Sequence, residues 1–159
     1  MKGIYLLLGS NLGDSNKKLK DAAKQIEFSI GKILKSSSVY STKAWGIEDQ
    51  PDFLNQVVEI ESFLSAEEIL YKINKIEEQL GRVRQIKWDS RIIDIDILYY
   101  GDQVIKHRDL VIPHRENENR NFVLVPMSEI APKFVHPLLG LTQQDLLNNC
   151  PDNLEVKKK

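Results

Sequence analysis

Short apolar runs and helically spaced apolar sets take turns along this chain. Residues 3 to 8 (GIYLLL) are nearly continuously apolar, too short for a helix, and read as a buried strand, with GSNLGD after them as a turn. From Ser15 to Ile30 the residues Leu19, Ala22, Ala23, Ile26 and Ile30 share one helical face, and Gly31 ends the pattern. Residues 33 to 41 and 53 to 64 read as strands. Between them STKAWGIEDQPD, with Gly46, Pro51 and several polar residues, reads as a loop, and a loop this long in a compact domain tends to be functional.

A second helix is written most clearly. Ser65 with Glu68 forms a capping box, Ala66, Ile69, Leu70, Ile73, Ile76 and Leu80 keep helical spacing, and Gly81 stops the pattern; Asn74 and Glu77 fall on the polar face. A basic loop, 82 to 91, leads into a strand over 92 to 100 and a turn at Gly101 and Asp102. Two short helices are predicted near 126 to 130, behind Pro126, and near 143 to 149, behind Thr142. The order lacks a strict βα repeat and predicts an α+β domain, its mainly antiparallel sheet covered on one side by helices.

Candidate chemistry concentrates around the last long strand. In IIDIDILYY, Asp94 and Asp96 project from one strand face, roughly 7 Å apart at Cα, while Ile93, Ile95 and Ile97 face the core. Neighbouring carboxylates repel, and a divalent cation relieves that repulsion; magnesium commonly takes one or two carboxylates together with substrate phosphate oxygens. Arg82, Arg84, Lys87 and Arg91 lie just upstream in GRVRQIKWDSR and supply an anion-binding half. A solvated strand edge beside an exposed basic loop would be the ordinary explanation of each feature alone, but it gives no reason for Trp88 among the arginines. Together the residues point to phosphate and metal without naming a reaction.

Composition narrows the classes. The 159 residues form one expected domain, 1 to 159, with the lysine-rich end, about 155 to 159, read as frayed. A formal net charge of −1 gives no support to nucleic-acid binding through overall charge. No stretch approaches a membrane span, and MKGIYLLLGSN reads as a first strand rather than a signal peptide, so a cytoplasmic protein without a membrane partner is expected. Cys150 is the single cysteine, and His107, His114 and His136 have no zinc-ligand spacing.

In combination the motifs resemble those of the 6-hydroxymethyl-7,8-dihydropterin pyrophosphokinases of folate biosynthesis. The resemblance runs from GSNLGD through QPDFLN (Gln50 to Asn55), GRVR and WDSRIIDIDIL to PH at 113 to 114, NRNFVLVPM at 119 to 127 and EIAP. The fold expected is α+β and ferredoxin-like, with helices packed on a mainly antiparallel sheet. The resemblance implies transfer of the terminal diphosphate of ATP, the co-substrate, to the hydroxymethyl oxygen of 6-hydroxymethyl-7,8-dihydropterin, leaving AMP, with two Mg2+ held by Asp94 and Asp96. It implies roles in transfer for Arg82 and Arg91, and nucleotide-side contacts for Asn74, Glu77, Arg84, Trp88, His114 and Arg120. Ile97 and Leu110 match positions whose backbone lies against adenine. On the pterin side, Phe53 and Phe122 match aromatics that sandwich the ring and Asn55 matches an amide that reads its edge. Thr42, Lys43 and Trp45 fall in a mobile loop, as does the 82 to 91 segment.

Departures from the pattern gather in those loops. The basic loop is one residue short, Asp89 and Ser90 stand where Gly and Pro are usual, Lys43 replaces a proline, Asn74 stands for Gln, and Arg115 follows His114. No dedicated general base is expected, and a monomer is expected. Two other readings stay open on the residues themselves: a ferredoxin-like nucleotide-binding regulatory module, and a two-metal nuclease or nucleotide-sugar transferase using the same pair of aspartates.

Overall fold

A computed structural model describes residues 1–43, 52–81 and 93–159. Strand β1 (Ile4–Ser10) lies inside an antiparallel sheet, between β5 (Asp94–Tyr100) on one side and β4 (Phe53–Glu61) on the other. β4 in turn pairs with both β2 (Lys32–Ser36) and β3 (Tyr40–Thr42), and β3 pairs with β8 (Lys157–Lys158). A separate hairpin joins β6 (Ile105–Lys106) to β7 (Val111–Ile112). With β2 and β3 taken as one interrupted strand, the order is that of a ferredoxin-like sheet, and the α+β expectation holds.

Helices α1 (Ser15–Ser29) and α2 (Ala66–Gln79) lie on one face. There Ile4, Leu6, Leu8, Val58, Ile60, Ile93, Ile95 and Ile97 meet Leu19, Ala22, Ile26, Ile69, Ile73 and Ile76 in the larger core. α1 is capped by Asp14, whose Oδ1 accepts the Lys17 N–H at 3.2 Å. α2 carries the expected capping box: the Ser65 hydroxyl accepts the Glu68 N–H and the Glu68 carboxylate accepts the Ser65 N–H, each at 3.1 Å. Gly81, at φ +95°, turns the chain out of α2 in a conformation other residues rarely adopt.

The opposite face is covered too, which corrects the one-sided layering expected from element order. Tyr5, Leu7, Val57, Leu98 and Tyr99 form a second core with Val123 and Met127 of α3 (Asn121–Ile130). The reason lies in β1 itself, whose continuous apolar run supplies a hydrophobic residue to both faces. α3 also starts five positions before Pro126, which stands inside it rather than at its first turn. The short α4 (Gln143–Asn148) begins with Thr142, whose hydroxyl accepts the Asp145 N–H at 3.2 Å.

Two further differences bear on the cleft. The predicted strand over 33 to 41 is interrupted, because Ser37 turns its hydroxyl to the Val57 N–H at 2.9 Å. The end of the chain, read as frayed, instead adds β8 to the sheet edge, with Tyr40 opposite Lys158 and Ser41 opposite Lys157.

Candidate active site

On the α3 side of the sheet the strands open into a cleft of about 470 Å³. Its floor is built from register: Gly9 of β1 stands between Asn55 of β4 and Asp94 of β5, and Leu7 stands opposite Asp96. Asp94 and Asp96 therefore share this face, as period-two geometry predicts, and Ile93, Ile95 and Ile97 point into the larger core. Thr42, Lys43 and Phe53 form one wall; Glu116, Asn119, Arg120, Phe122, Asp152 and Leu154 form the other. Of the sequence-derived candidates, Thr42, Lys43, Phe53, Asn55, Asp94, Asp96, Arg120 and Phe122 are thus brought together.

The environment of each polar group follows from its element. Asn55 is 7 % exposed on the cleft floor, where it presents an amide with both donor and acceptor capacity. Arg120, just before α3, holds its guanidinium carbon 5.4 Å from the Phe122 ring centroid, so charge and aromatic face lie together. The paired carboxylates are half-buried hard-oxygen donors. Among the described residues no third His, Cys, Asp or Glu joins them as a metal-binding group. Such a donor set fits magnesium, which takes few protein ligands and leaves positions for water and phosphate, better than it fits a metal held in an all-protein cage.

Glu77, 2 % exposed on α2, accepts the Ile95 N–H at 2.9 Å and so ties the helix to β5 between the two aspartates. β5 is an edge strand and leaves such groups to find partners outside the ladder. On the same strand the Leu98 carbonyl accepts the His114 N–H at 3.1 Å and the Asn117 side-chain amide at 2.9 Å.

The remaining nucleotide-side candidates lie off the main cleft. Asn74 is half-buried on α2, and Ile97 and Leu110 are buried in the larger core, leaving their backbones as the groups able to meet a ligand. His114 lines a neighbouring depression of about 500 Å³ with Lys106, His107, Pro113 and Arg115. Burial pushes its pKa below the ordinary histidine value; Arg120 acts in the same direction, against Glu116, Asp94 and Glu118. Trp45, Arg82, Arg84, Trp88 and Arg91 lie outside the described residues, as do Lys87, Asp89 and Ser90.

Sequence reasoning passed over Gly9, Leu7, Glu116, Asn119, Asp152 and Leu154. Gly9 did leave a signal, since a glycine closing an apolar strand marks a close approach. A Cβ there would stand 2.9 Å from Asn55 Oδ1. Asp152 and Leu154 left none, because their place depends on the chain returning to α3 from outside any strong motif.

Fold and cleft together define an α+β domain with a cleft that combines a carboxylate pair with aromatic side chains. The 7,8-dihydro-6-hydroxymethylpterin-pyrophosphokinase (HPPK) family matches residues 5–132, and the chain belongs to this family of enzymes. It is 44 % identical over 138 residues to the 2-amino-4-hydroxy-6-hydroxymethyldihydropteridine pyrophosphokinase of Aquifex aeolicus, covering 87 % of this chain and 86 % of that protein. The Haemophilus influenzae protein of the same name is 42 % identical over 134 residues, with 84 % of each chain covered. The folic acid synthesis protein fol1 of Pneumocystis carinii is 39 % identical over 89 % of this chain, which spans 19 % of that longer protein. Among solved structures, Plasmodium falciparum HPPK-DHPS superposes with a TM-score of 0.77 at 19 % identity, over 92 % of this chain and 44 % of that one, a likeness of fold. Membership decides against the regulatory-module and nuclease readings.

Proposed function

We propose that this enzyme transfers the β,γ-diphosphate of ATP to the hydroxymethyl group of 6-hydroxymethyl-7,8-dihydropterin, a step of tetrahydrofolate biosynthesis. The observation that carries the reading is one cleft lined by Phe53, Asn55 and Phe122 together with Asp94 and Asp96. Two aromatic side chains accept the faces of a flat bicyclic ring, and a fixed amide between them reads donors and acceptors along its edge. In the reaction the hydroxymethyl oxygen bonds to the β-phosphorus, the bond from that phosphorus to the α,β-bridging oxygen breaks, and AMP leaves with that oxygen.

Asp94 and Asp96 are the residues to hold magnesium, two ions in this proposal, which when bound neutralises the phosphate chain and favours ionisation of the attacking hydroxyl. Phe53, Asn55 and Phe122 set the ring so that its hydroxymethyl arm points along the floor toward the carboxylates. Arg120 supplies fixed positive charge on the facing wall, and Arg82, Arg84 and Arg91 complete the clamp on phosphate oxygens, which a guanidinium grips in a bidentate way. Asn74, Glu77, Trp88, Ile97, Leu110 and His114 serve the nucleotide side, and Thr42, Lys43 and Trp45 the pterin side.

The test is AMP release from ATP and magnesium, with and without the dihydropterin, in the wild type and in Asp96→Ala. Pterin-dependent AMP that falls by at least about a thousandfold in the variant, roughly 4 kcal/mol of transition-state stabilisation, is the expected result. ATP turnover indifferent to pterin, or a fully active variant, would refute the reading.

A further inference from the structure

We infer that Asp152 and Leu154 belong to the ring-binding end of the cleft, Leu154 as a specificity-determining side chain and Asp152 as the residue that positions it. The inference rests on the proposed pterin reading and goes beyond it, because the family match ends at residue 132 and both residues lie past it.

The segment is pinned at both ends to opposite walls of the cleft. At its start, α3 lacks a side-chain cap from its own preceding residue, Arg120. Asp152 supplies one from thirty-one residues away: its Oδ2 accepts the Asn121 N–H at 3.0 Å, while its Oδ1 accepts the Leu154 N–H at 2.9 Å. A carboxylate at a helix N-terminus is favourably placed for both hydrogen bonding and the helix dipole. Asn121 answers by donating its side-chain amide to the carbonyls of Asp152 at 2.9 Å and Leu154 at 3.5 Å. At its other end, β8 pairs Lys157 with Ser41, and the Lys159 N–H donates to the Val39 carbonyl at 2.9 Å.

Those anchors adjoin the residues that define the ring end. Asn121 precedes Phe122, and Ser41 precedes Thr42; both followers line the cleft, as Leu154 does. Leu154 is therefore held beside the start of α3, on the Phe122 wall, half-buried and lining the cleft, where the segment leaves that wall to cross toward β3. A leucine there removes water from an edge of a flat heteroaromatic ring and limits the substituents that edge can carry. Asn55 reads the polar part of the ring; Leu154 bounds an apolar part.

The experiment is steady-state kinetics of pterin-dependent AMP release, together with Tm, for Leu154→Ala, Asp152→Ala and Asp152→Asn. Leu154→Ala is expected to raise KM for the dihydropterin about 5- to 10-fold, with KM for ATP and kcat within about twofold of wild type. It should also raise relative kcat/KM for a dihydropterin bearing an extra alkyl group on its ring. Asp152→Ala should raise the pterin KM and lower Tm, and Asp152→Asn, which keeps only one of the two acceptor oxygens, should fall between Asp152→Ala and wild type in both. If Leu154→Ala leaves the pterin KM unchanged, or shifts the pterin and ATP constants in parallel, the inference is overturned while the activity stands. A wild type without pterin-dependent AMP would instead overturn the proposed function, and this inference with it.

Discussion

At Gly9 a single methyl group separates a structural effect from a functional one. The residue lies in β1 between Asn55 and Asp94, and an added Cβ would press on the far end of the Asn55 side chain at 2.9 Å, while the backbone oxygen of Leu54 stands at an ordinary contact distance of 3.8 Å. The amide can swing aside, and alanine also relieves part of the conformational-entropy cost of glycine in a strand, so Gly9→Ala should change stability by less than about 1 kcal/mol. In the proposed pterin site the displaced amide would no longer meet its ring partner, and losing one hydrogen bond of about 1.4 kcal/mol would be a tenfold effect on pterin binding. Titration with the dihydropterin should show that tenfold weakening while the unfolding midpoint stays close to wild type; unchanged pterin affinity would mean that Gly9 does not govern Asn55. Asp94 and Asp96 were legible because a strand's two-residue period is local. The partnership of Gly9 with Asn55 was not, because it depends on a register between strands far apart in sequence.

Elements were legible where their signals were local in the same sense. The capping box of α2 is an example: Ser65 and Glu68 announce it, and the structure forms both of its hydrogen bonds. Ser65→Ala should cost about 1 kcal/mol, lowering Tm by about 3 °C in a chain of this size. Because the cap lies at the end of α2 remote from the Glu77 contact with Ile95, kcat and KM should remain at wild-type values. A thermal melt and one kinetic series check both halves; a selective loss of nucleotide affinity would show that the helix start is coupled to the site. Pro126 misled for a related reason. Proline is favoured in the first turn of a helix, yet here burial of Val123, Leu124 and Met127 extends α3 backwards through it. β8 was hidden because a lysine-rich end has little strand propensity, and it orders only against the exposed edge of β3.

At the scale of the whole molecule, burial on both faces of the sheet introduces a pH dependence that neither the aspartates nor the arginines predict. His136, 3 % exposed, packs edge-on to Tyr99 of the second core at 5.6 Å between centroids. Its Nδ1 accepts the N–H groups of Leu138 at 3.1 Å and Leu139 at 3.2 Å, which assigns the neutral ring's proton to Nε2, 3.5 Å from Glu118. Charging the ring puts a proton on Nδ1 and breaks both bonds. Burial accordingly pushes the pKa of His136 below the ordinary value despite the opposing pull of Glu118, and His114 is shifted the same way. For a depressed histidine pKa the unfolded chain binds the proton first. Stability is therefore fully present above about pH 6.5 and is lost as pH falls through the folded-state values. Tm should stay level from about pH 8 to 7 and decline from about pH 6.5 toward 5, before the bulk of the carboxylates protonate. His136→Asn keeps an acceptor near the Nδ1 position but cannot titrate, so its Tm should fall less steeply over that interval, with His114 supplying the remaining slope. Parallel Tm curves for the two proteins would rule out His136 as a source of the acid sensitivity.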